Sequence, residues 1–452
     1  MEADISSPHS LTTYTNKQLV IVAACLWLLA LSGYLYCAAT LPAYFSVDNY
    51  ANRAATEYIA KHHSLPNIKS DDPDILYTSL GTTRLLRPPL TYIVSAVFYT
   101  FSNGSIDDRQ LRLRLGSVVL GSLTVVAIFS ALILAIQHLW LSLAGTFIFA
   151  LLPRFVFLAS TNNDDIGAIF AATLLITSVL YLWHHHTKHS ALMFIAVAVG
   201  LTLQAKFTAW LLLPWMLLFV LYVVKIQLRK IIKLTPILMI LMVVAGGWWP
   251  IHNMNTYGWQ DPTGMKHVEV VQLERKVGSL KNRGYQSKGI SAPQLLVNHD
   301  EFMQRSFKSM VGYLAWIKLE MSALLYGFYA AIIVIAMLSP LIKPISSKHR
   351  FSSFLWVAMI TIIFQFGFYI DHNLRRDIQP DGRYLLPVLV LFVVMFISAV
   401  ERISIDSKSF SISRFSISRQ NLIAVLLLAA CILLATYNFY NNVFLNKFFQ
   451  VE

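Results

Sequence analysis

Charge is scarce in this chain: of 452 residues only 13% are Asp, Glu, Lys or Arg, while 56% are hydrophobic. A soluble protein carries about a quarter charged residues to cover its surface, so a soluble multidomain enzyme is excluded, as are disorder and collagen. Cysteine is scarcer still. Cys25, Cys37 and Cys431 form neither a disulfide framework nor a zinc spacing, and each falls in or beside an apolar run, where it reads as a packing residue. There is no Gly-rich phosphate loop, no Gly-x-Ser-x-Gly elbow and no His-Glu-x-x-His pair. Nucleotide-driven transport within this chain and serine or zinc hydrolysis therefore lack sequence support. An internal repeat, expected of a carrier built from two related halves, is not evident.

What the chain has is long apolar runs. A helix needs roughly 20 residues to cross the hydrocarbon core, and the stretch 19–40 is free of charge and lacks the flanks and cleavage site of a signal peptide. Further runs lie at about 115–136, 139–158, 166–183, 191–204, 208–224, 234–250, 321–339, 352–370, 384–400 and 421–437. Short loops set orientation, since cytoplasmic loops are rich in Lys and Arg. Loops 225–233, 340–351 and 401–420 carry such residues, and 159–165 carries none, which puts the N-terminus inside. The loop with Arg375, Arg376 and Arg383 runs against the rule. Most of the formal net charge of +13 then falls in inner segments, so it is a topology signal and needs no nucleic-acid partner. The expected fold is an all-α integral membrane protein of about eleven transmembrane helices. Two long outer loops, 41–114 and 251–320, carry interfacial amphipathic helices.

The polar residues of those outer loops are the candidates for chemistry. Asp48 opens a helix-like stretch, 49–62, with Ala51, Ala54, Ala55, Tyr58 and Ile59 on one face. It reads equally as an N-cap or as a base that takes a proton from an acceptor hydroxyl. Arg87 precedes Pro88-Pro89-Leu90, a helix start, and is either a snorkelling arginine or a phosphate ligand. Asp164 and Asp165 stand before an apolar run, where a helix dipole favours acids; with Asn162 and Asn163 they exceed what capping requires. Lys206 separates two apolar runs, a costly place for charge and often a functional one; Arg154, inside a span, shares that ambiguity. Asp71, Asp72 and Asp74 suit a turn better than a divalent cation. The run His184-His185-His186 with His189 reads as a solvated inner turn. Asn103-Gly104-Ser105 matches a sequon. In the second loop, Lys276, Lys281, Arg283 and Lys288 form a basic stretch, and 292–310 looks like one helix.

Taken in order, several pieces resemble the polytopic glycosyltransferases that use polyprenyl-phosphate sugars, the superfamily of protein O-mannosyltransferases and the lipid A aminoarabinose transferase. These pieces are Asp48, Arg87-Pro88-Pro89-Leu90-Thr91-Tyr92, Leu152-Pro153-Arg154-Phe155, Asn162-Asn163-Asp164-Asp165 and Lys206-Phe207-Thr208. To them are added Tyr257-Gly258, Asp261-Pro262 and Gly382-Arg383-Tyr384-Leu385-Leu386-Pro387. The resemblance implies an inverting transfer from a polyprenyl-phosphate-sugar donor to a glycan, lipid or protein acceptor. It implies Asp48 as base, Asp164 or Asp165 as supporting acid, and Arg87, Lys206, Arg383 and Tyr384 at the donor phosphate. Asn49 follows Asp48 where relatives carry an acid, which weakens a metal pair there; a divalent cation stays open. Asp381 stands where a Gln is frequent. The implied setting is a bacterial inner membrane, with the N-terminus cytoplasmic and the site periplasmic. The implied organisation is an inner tail 1–18, a glycosyltransferase-like module 19–250, the second outer loop 251–320 and C-terminal helices 321–452. Two rival readings remain: a transporter or flippase of a lipid-linked glycan, and a glycan polymerase or ligase using diphosphate-linked donors.

Overall fold

The computed structural model describes residues 14–42, 49–67, 72–78, 81–102, 104–185, 188–224, 228–274, 283–297, 299–313, 320–342, 349–405 and 418–439. The regular secondary structure among these residues is helical, apart from one isolated β-bridge between Arg283 and Asp377. The chain is an all-helical integral membrane protein, and among the described residues eight helices are long and apolar enough to cross a bilayer, or nine if one bent pair counts as a span.

The centre of the bundle is α4 (Ile106–Ile136) packed on α7 (Asp165–His184). At 1.5 Å per residue α4 is about 46 Å long, which exceeds the hydrocarbon thickness. Ser105 caps its start by accepting from the Asp108 N–H at 3.2 Å, and Asp107 and Asp108 sit in its first turn, where the helix dipole favours acids. Small residues let helices approach. A methyl group at Gly121 would lie 2.5 Å from Ala159 Cβ, and one at Gly116 would meet the Ser95 backbone at 2.6 Å. Such contacts drive packing in lipid, where apolar burial between helices has little to gain.

Around this centre run α1 (Asn16–Thr40) and, at the other end of the chain, α19 (Arg419–Phe439). Both bury few of their apolar side chains and expose many, among them Val20, Leu28, Leu29, Leu426 and Leu433. In a bilayer those faces meet acyl chains.

The run 139–158 is not a straight span. It forms α5 (Leu139–Ala150) and α6 (Pro153–Ala159), bent by 69°. Pro153 has no N–H to continue a helix and forces Leu152 into extended backbone (φ −61°, ψ 120°), so the bend is a proline effect. The expected span 191–204 forms one helix of about the expected length, whereas 208–224 is broken in two. They become α8 (His189–Leu203), α9 (Phe207–Trp210) and α10 (Leu213–Val224). Fifteen residues reach about 22 Å, less than the core thickness, so the count of about eleven full spans is not confirmed among the described residues. After α11 (Leu228–Met242) a π-helical segment, Val243–Gly247, brings Gly246 against the Gly200 carbonyl, which a Cβ would approach to 2.2 Å.

On the side where α7 begins lie α2 (Asn49–His62), α3 (Leu90–Tyr99), α12 (Trp248–Tyr257) and α13 (Met265–Glu274). Helix α2 is amphipathic as expected, burying Ala55, Tyr58 and Ile59 against Leu85, Leu86 and Val271. The expected helix 292–310 is split into α14 (Ala292–Leu296) and α15 (Phe302–Val311). Asp300 and Glu301 between them adopt left-handed backbone (φ 52° and 56°), which no continuous helix accommodates. Three spans complete the chain: α16 (Ala323–Leu338), α17 (His349–Arg375) and α18 (Leu389–Ile405), the last preceded by a 3-10 helix at Gly382–Val388.

Candidate active site

The loop Ser160–Asp165 joins α6 to α7, and every one of its residues is buried. Buried backbone and amide groups need partners, and the surrounding helices supply them. Asn52 of α2 donates to the Asn162 carbonyl at 2.9 Å, and Asn162 donates to Thr56 Oγ1 at 3.3 Å. Tyr92 of α3 donates to Asn52 Oδ1 at 3.0 Å. Asn163 Oδ1 accepts the Asp165 N–H at 2.8 Å, whereas Asp164 makes no side-chain capping bond. Capping is thus done by the asparagine, and the two carboxylates are left for other partners.

Those partners are cations brought by three different segments, with a fourth cation close behind. Lys206, in the turn between α8 and α9, donates to Asp164 Oδ1 at 3.0 Å and to Asp165 Oδ1 at 2.7 Å. Arg87, just before α3, lies 3.6 Å from Asp164 Oδ2, beyond hydrogen-bonding distance, and its side chain is 41% exposed. Arg383, in the 3-10 helix before α18, places Nε 3.6 Å from Asp165 Oδ2 and 3.2 Å from Asp381 Oδ2. Arg154 of α6 donates to both Asp381 oxygens at 3.0 and 2.9 Å, and to the Tyr313 carbonyl at 3.3 Å. The Tyr384 ring faces Lys206 Nζ and Arg383 Cζ, each 5.3 Å from its centroid, a cation–π distance.

Close packing holds these segments in register. The Leu90 N–H donates to the Gln204 carbonyl at 3.1 Å, tying the start of α3 to the turn that carries Lys206. A Cβ on Gly167 would lie 2.4 Å from Thr91 Oγ1, so α3 presses on the first turn of α7. Gly382 sits against α15: its N–H donates to Ser309 Oγ at 2.7 Å, and a Cβ there would fall 2.0 Å from the Ser306 carbonyl oxygen. Tyr285, Phe302 and Tyr369 form a small apolar core beside Tyr384 and Leu385. The part of the second long loop at 283–311 is therefore docked on the segment bearing Arg383.

Electrostatically the cluster is cationic. Arg84, Arg87, Arg154, Lys206 and Arg383 face Asp164, Asp165 and Asp381, leaving a formal +2 among the described residues. Burial alone would raise the Asp164 carboxyl, yet the charges of Lys206, Arg84 and Arg383 hold it below the usual carboxylate range. Partial burial likewise opposes the Asp381 carboxylate, and Arg154 and Arg383 hold it low. Burial opposes the Lys206 ammonium, and the two aspartates outweigh it, so this lysine stays charged.

Of the residues singled out by sequence, Asp164, Asp165, Arg87, Lys206, Arg383 and Tyr384 converge here. Asp48 lies outside the described residues, as do Asp71, His186 and Asn103. Asp74 is part of a turn: its N–H donates to Asp72 Oδ1 at 2.9 Å, and its carboxylate meets Lys61 and His62. The described residues contain no group of three or more His, Cys, Asp or Glu able to hold a metal. Sequence reasoning missed Arg84. Its signal was the three-residue spacing to Arg87, since a 3-10 turn, formed here at Arg84–Leu86, eclipses positions i and i+3. Beside α6, a mainly apolar cavity of about 560 Å3 opens between α1, α5 and α19, lined by Leu26, Tyr34, Val156, Phe157 and Ile432 among others.

Residues 42–392 match a family model described as "Predicted membrane protein (DUF2142)". Among curated proteins no sequence match is found. By structure the chain resembles ArnT from Cupriavidus metallidurans, a lipid A aminoarabinose transferase. Against the crystal structure bound to undecaprenyl phosphate the TM-score is 0.51 at 15% identity, and against the apo state 0.51 at 16%. Both comparisons cover 93% of this chain, which spans 64% of the ArnT chain. At such identity the likeness is one of fold.

Proposed function

We propose that this chain, which belongs to the predicted membrane protein family DUF2142, is an integral-membrane glycosyltransferase with a polyprenyl-phosphate-linked donor. The observation that carries this reading is the buried cluster of net positive charge, set at helix ends in a fold similar to ArnT. Displacing a lipid phosphate from an anomeric carbon needs a base for the acceptor hydroxyl and cations for the phosphate that leaves. Arg87 and Arg383 present guanidinium groups suited to a phosphate. Lys206 holds Asp164 and Asp165 in place and adds positive charge beside them.

The base is Asp48, four residues ahead of Asn52, whose amide is tied to the acid loop. Attack by the activated hydroxyl opposite the phosphate inverts the anomeric centre. The apolar cavity beside α6 takes part of a prenyl chain. The acceptor reaches the site from the periplasmic face, as the charged loops of the sequence imply.

The decisive experiment uses the purified chain in nanodiscs with a panel of undecaprenyl-phosphate sugars. Asp48→Asn abolishes transfer while lipid binding stays as in the unaltered protein. Undiminished turnover by that variant removes Asp48 from the mechanism. Movement of intact lipid-linked glycan across a vesicle, with no covalent product, replaces the transferase by a transporter.

A further inference from the structure

Arg154 and Asp381 stand at the edge of the network above, paired with each other; the Asp381 side chain is 20% exposed. Arg154 is 6% exposed although it sits on the short helix α6. Its fork reaches both Asp381 oxygens and the Tyr313 carbonyl. Asp381 in turn touches Arg383 twice, accepting its backbone N–H at 3.1 Å and lying 3.2 Å from its Nε. The same carboxylate caps the 3-10 helix that begins at Gly382.

We propose that Arg154 and Asp381 are positioning residues, a neutral dyad that aims the Arg383 guanidinium at the phosphate of the lipid donor. The proposal rests on the glycosyltransferase reading. A lone carboxylate beside Arg383 would repel an incoming phosphate, and in a buried setting that repulsion is strong. Paired with Arg154, Asp381 carries no net charge into the site but keeps its directional hydrogen bonds. Orientation is thereby obtained without weakening the anion site.

The two effects have opposite signs in a binding experiment. By charge alone, Asp381→Asn makes the site more positive and tightens phosphate binding. By positioning, it loosens it. The full chain in phosphatidylcholine nanodiscs is titrated with undecaprenyl phosphate and, separately, with undecaprenol, which lacks the phosphate. Asp381→Asn weakens undecaprenyl phosphate binding about tenfold, the scale of one charge-assisted contact, and leaves undecaprenol binding unchanged. In an Arg383→Gln background the same change adds less than about twofold, because the two act through one group. Arg154→Lys keeps the charge but loses the fork, so it gives the same phosphate-selective loss at smaller size, and it serves if Asp381→Asn does not fold. Unchanged or tighter binding in Asp381→Asn overturns the proposal, as does an undiminished loss in the Arg383→Gln background or an equal loss for both lipids. Equal affinity of the unaltered protein for the two lipids overturns the donor reading itself, before any variant is made.

Discussion

Two clusters of acids and bases stand in this molecule, and burial separates their behaviour. In the first, Asp164, Asp165 and Lys206 are each less than a tenth exposed and share two short hydrogen bonds. In the second, at the end of α2, Lys61 and His62 meet Asp74 at similarly short distances, but the Lys61 side chain is 65% exposed. Water and salt screen the second set, so its pairs add little. In the first, each charge depends on its partners, because removal of one strands the others in a poor solvent. Geometry is alike in both; only surroundings differ.

The largest way to break this contrast is Lys206→Met. Removing the cation that both buried carboxylates share costs about 3–5 kcal/mol, read as a lowered midpoint of thermal unfolding in nanodiscs. Adding Asp165→Asn recovers part of the loss by removing one stranded charge. An unaltered midpoint in Lys206→Met would erase the distinction between the clusters. Next comes Gly382→Ala. Its methyl group meets the Ser306 carbonyl oxygen and forces α15 off the Arg383 segment, at about 1–3 kcal/mol for an overpacked contact. Loss of undecaprenyl phosphate affinity alongside the stability change would show that this docking supports the site.

A third test uses acid. Asp164 and Asp381 have carboxyls held below the ordinary value, so their contribution to stability is fully present above the unfolded pKa of about 3.9. It is lost as pH falls through the lower folded values. Lys206→Met removes the cation that does most to hold Asp164 down, so the folded value moves toward the unfolded one and this carboxylate's share of the acid decline shrinks. Coincident acid profiles would contradict the assigned cause. The smallest effect is expected at the exposed cluster, where Asp74→Ala leaves the thermal midpoint within experimental scatter.

How much of this could be read from sequence depended on how local each signal was. Membrane character was legible because a charge-free run of about 20 residues carries its own meaning. Asp164, Asp165, Lys206 and Arg383 stood out for the same reason, being charges beside such runs. The bend within 139–158 was hidden, since Pro153 fits either the start of a helix or the interior of an apolar run. Lys206 was expected at the phosphate, yet its nearest neighbours are two carboxylates, a fact that only the fold supplies. The pairing of Arg154 with Asp381 crosses 227 residues, and no periodicity connects them. The break at Asp300 and Glu301 depends on left-handed backbone that neither residue type announces.

The scattered origin of the site also sets a timetable for its assembly. Asp165 is synthesised 41 residues before Lys206, and Arg154 227 residues before Asp381. At about 5–20 residues per second, the acids await their lysine for about 2–8 s. Arg154 awaits its carboxylate for roughly 10–45 s at the same rate. During that interval the bundle enters the membrane with unmatched charge at one end, and it becomes electrically complete only when the Asp381 segment arrives.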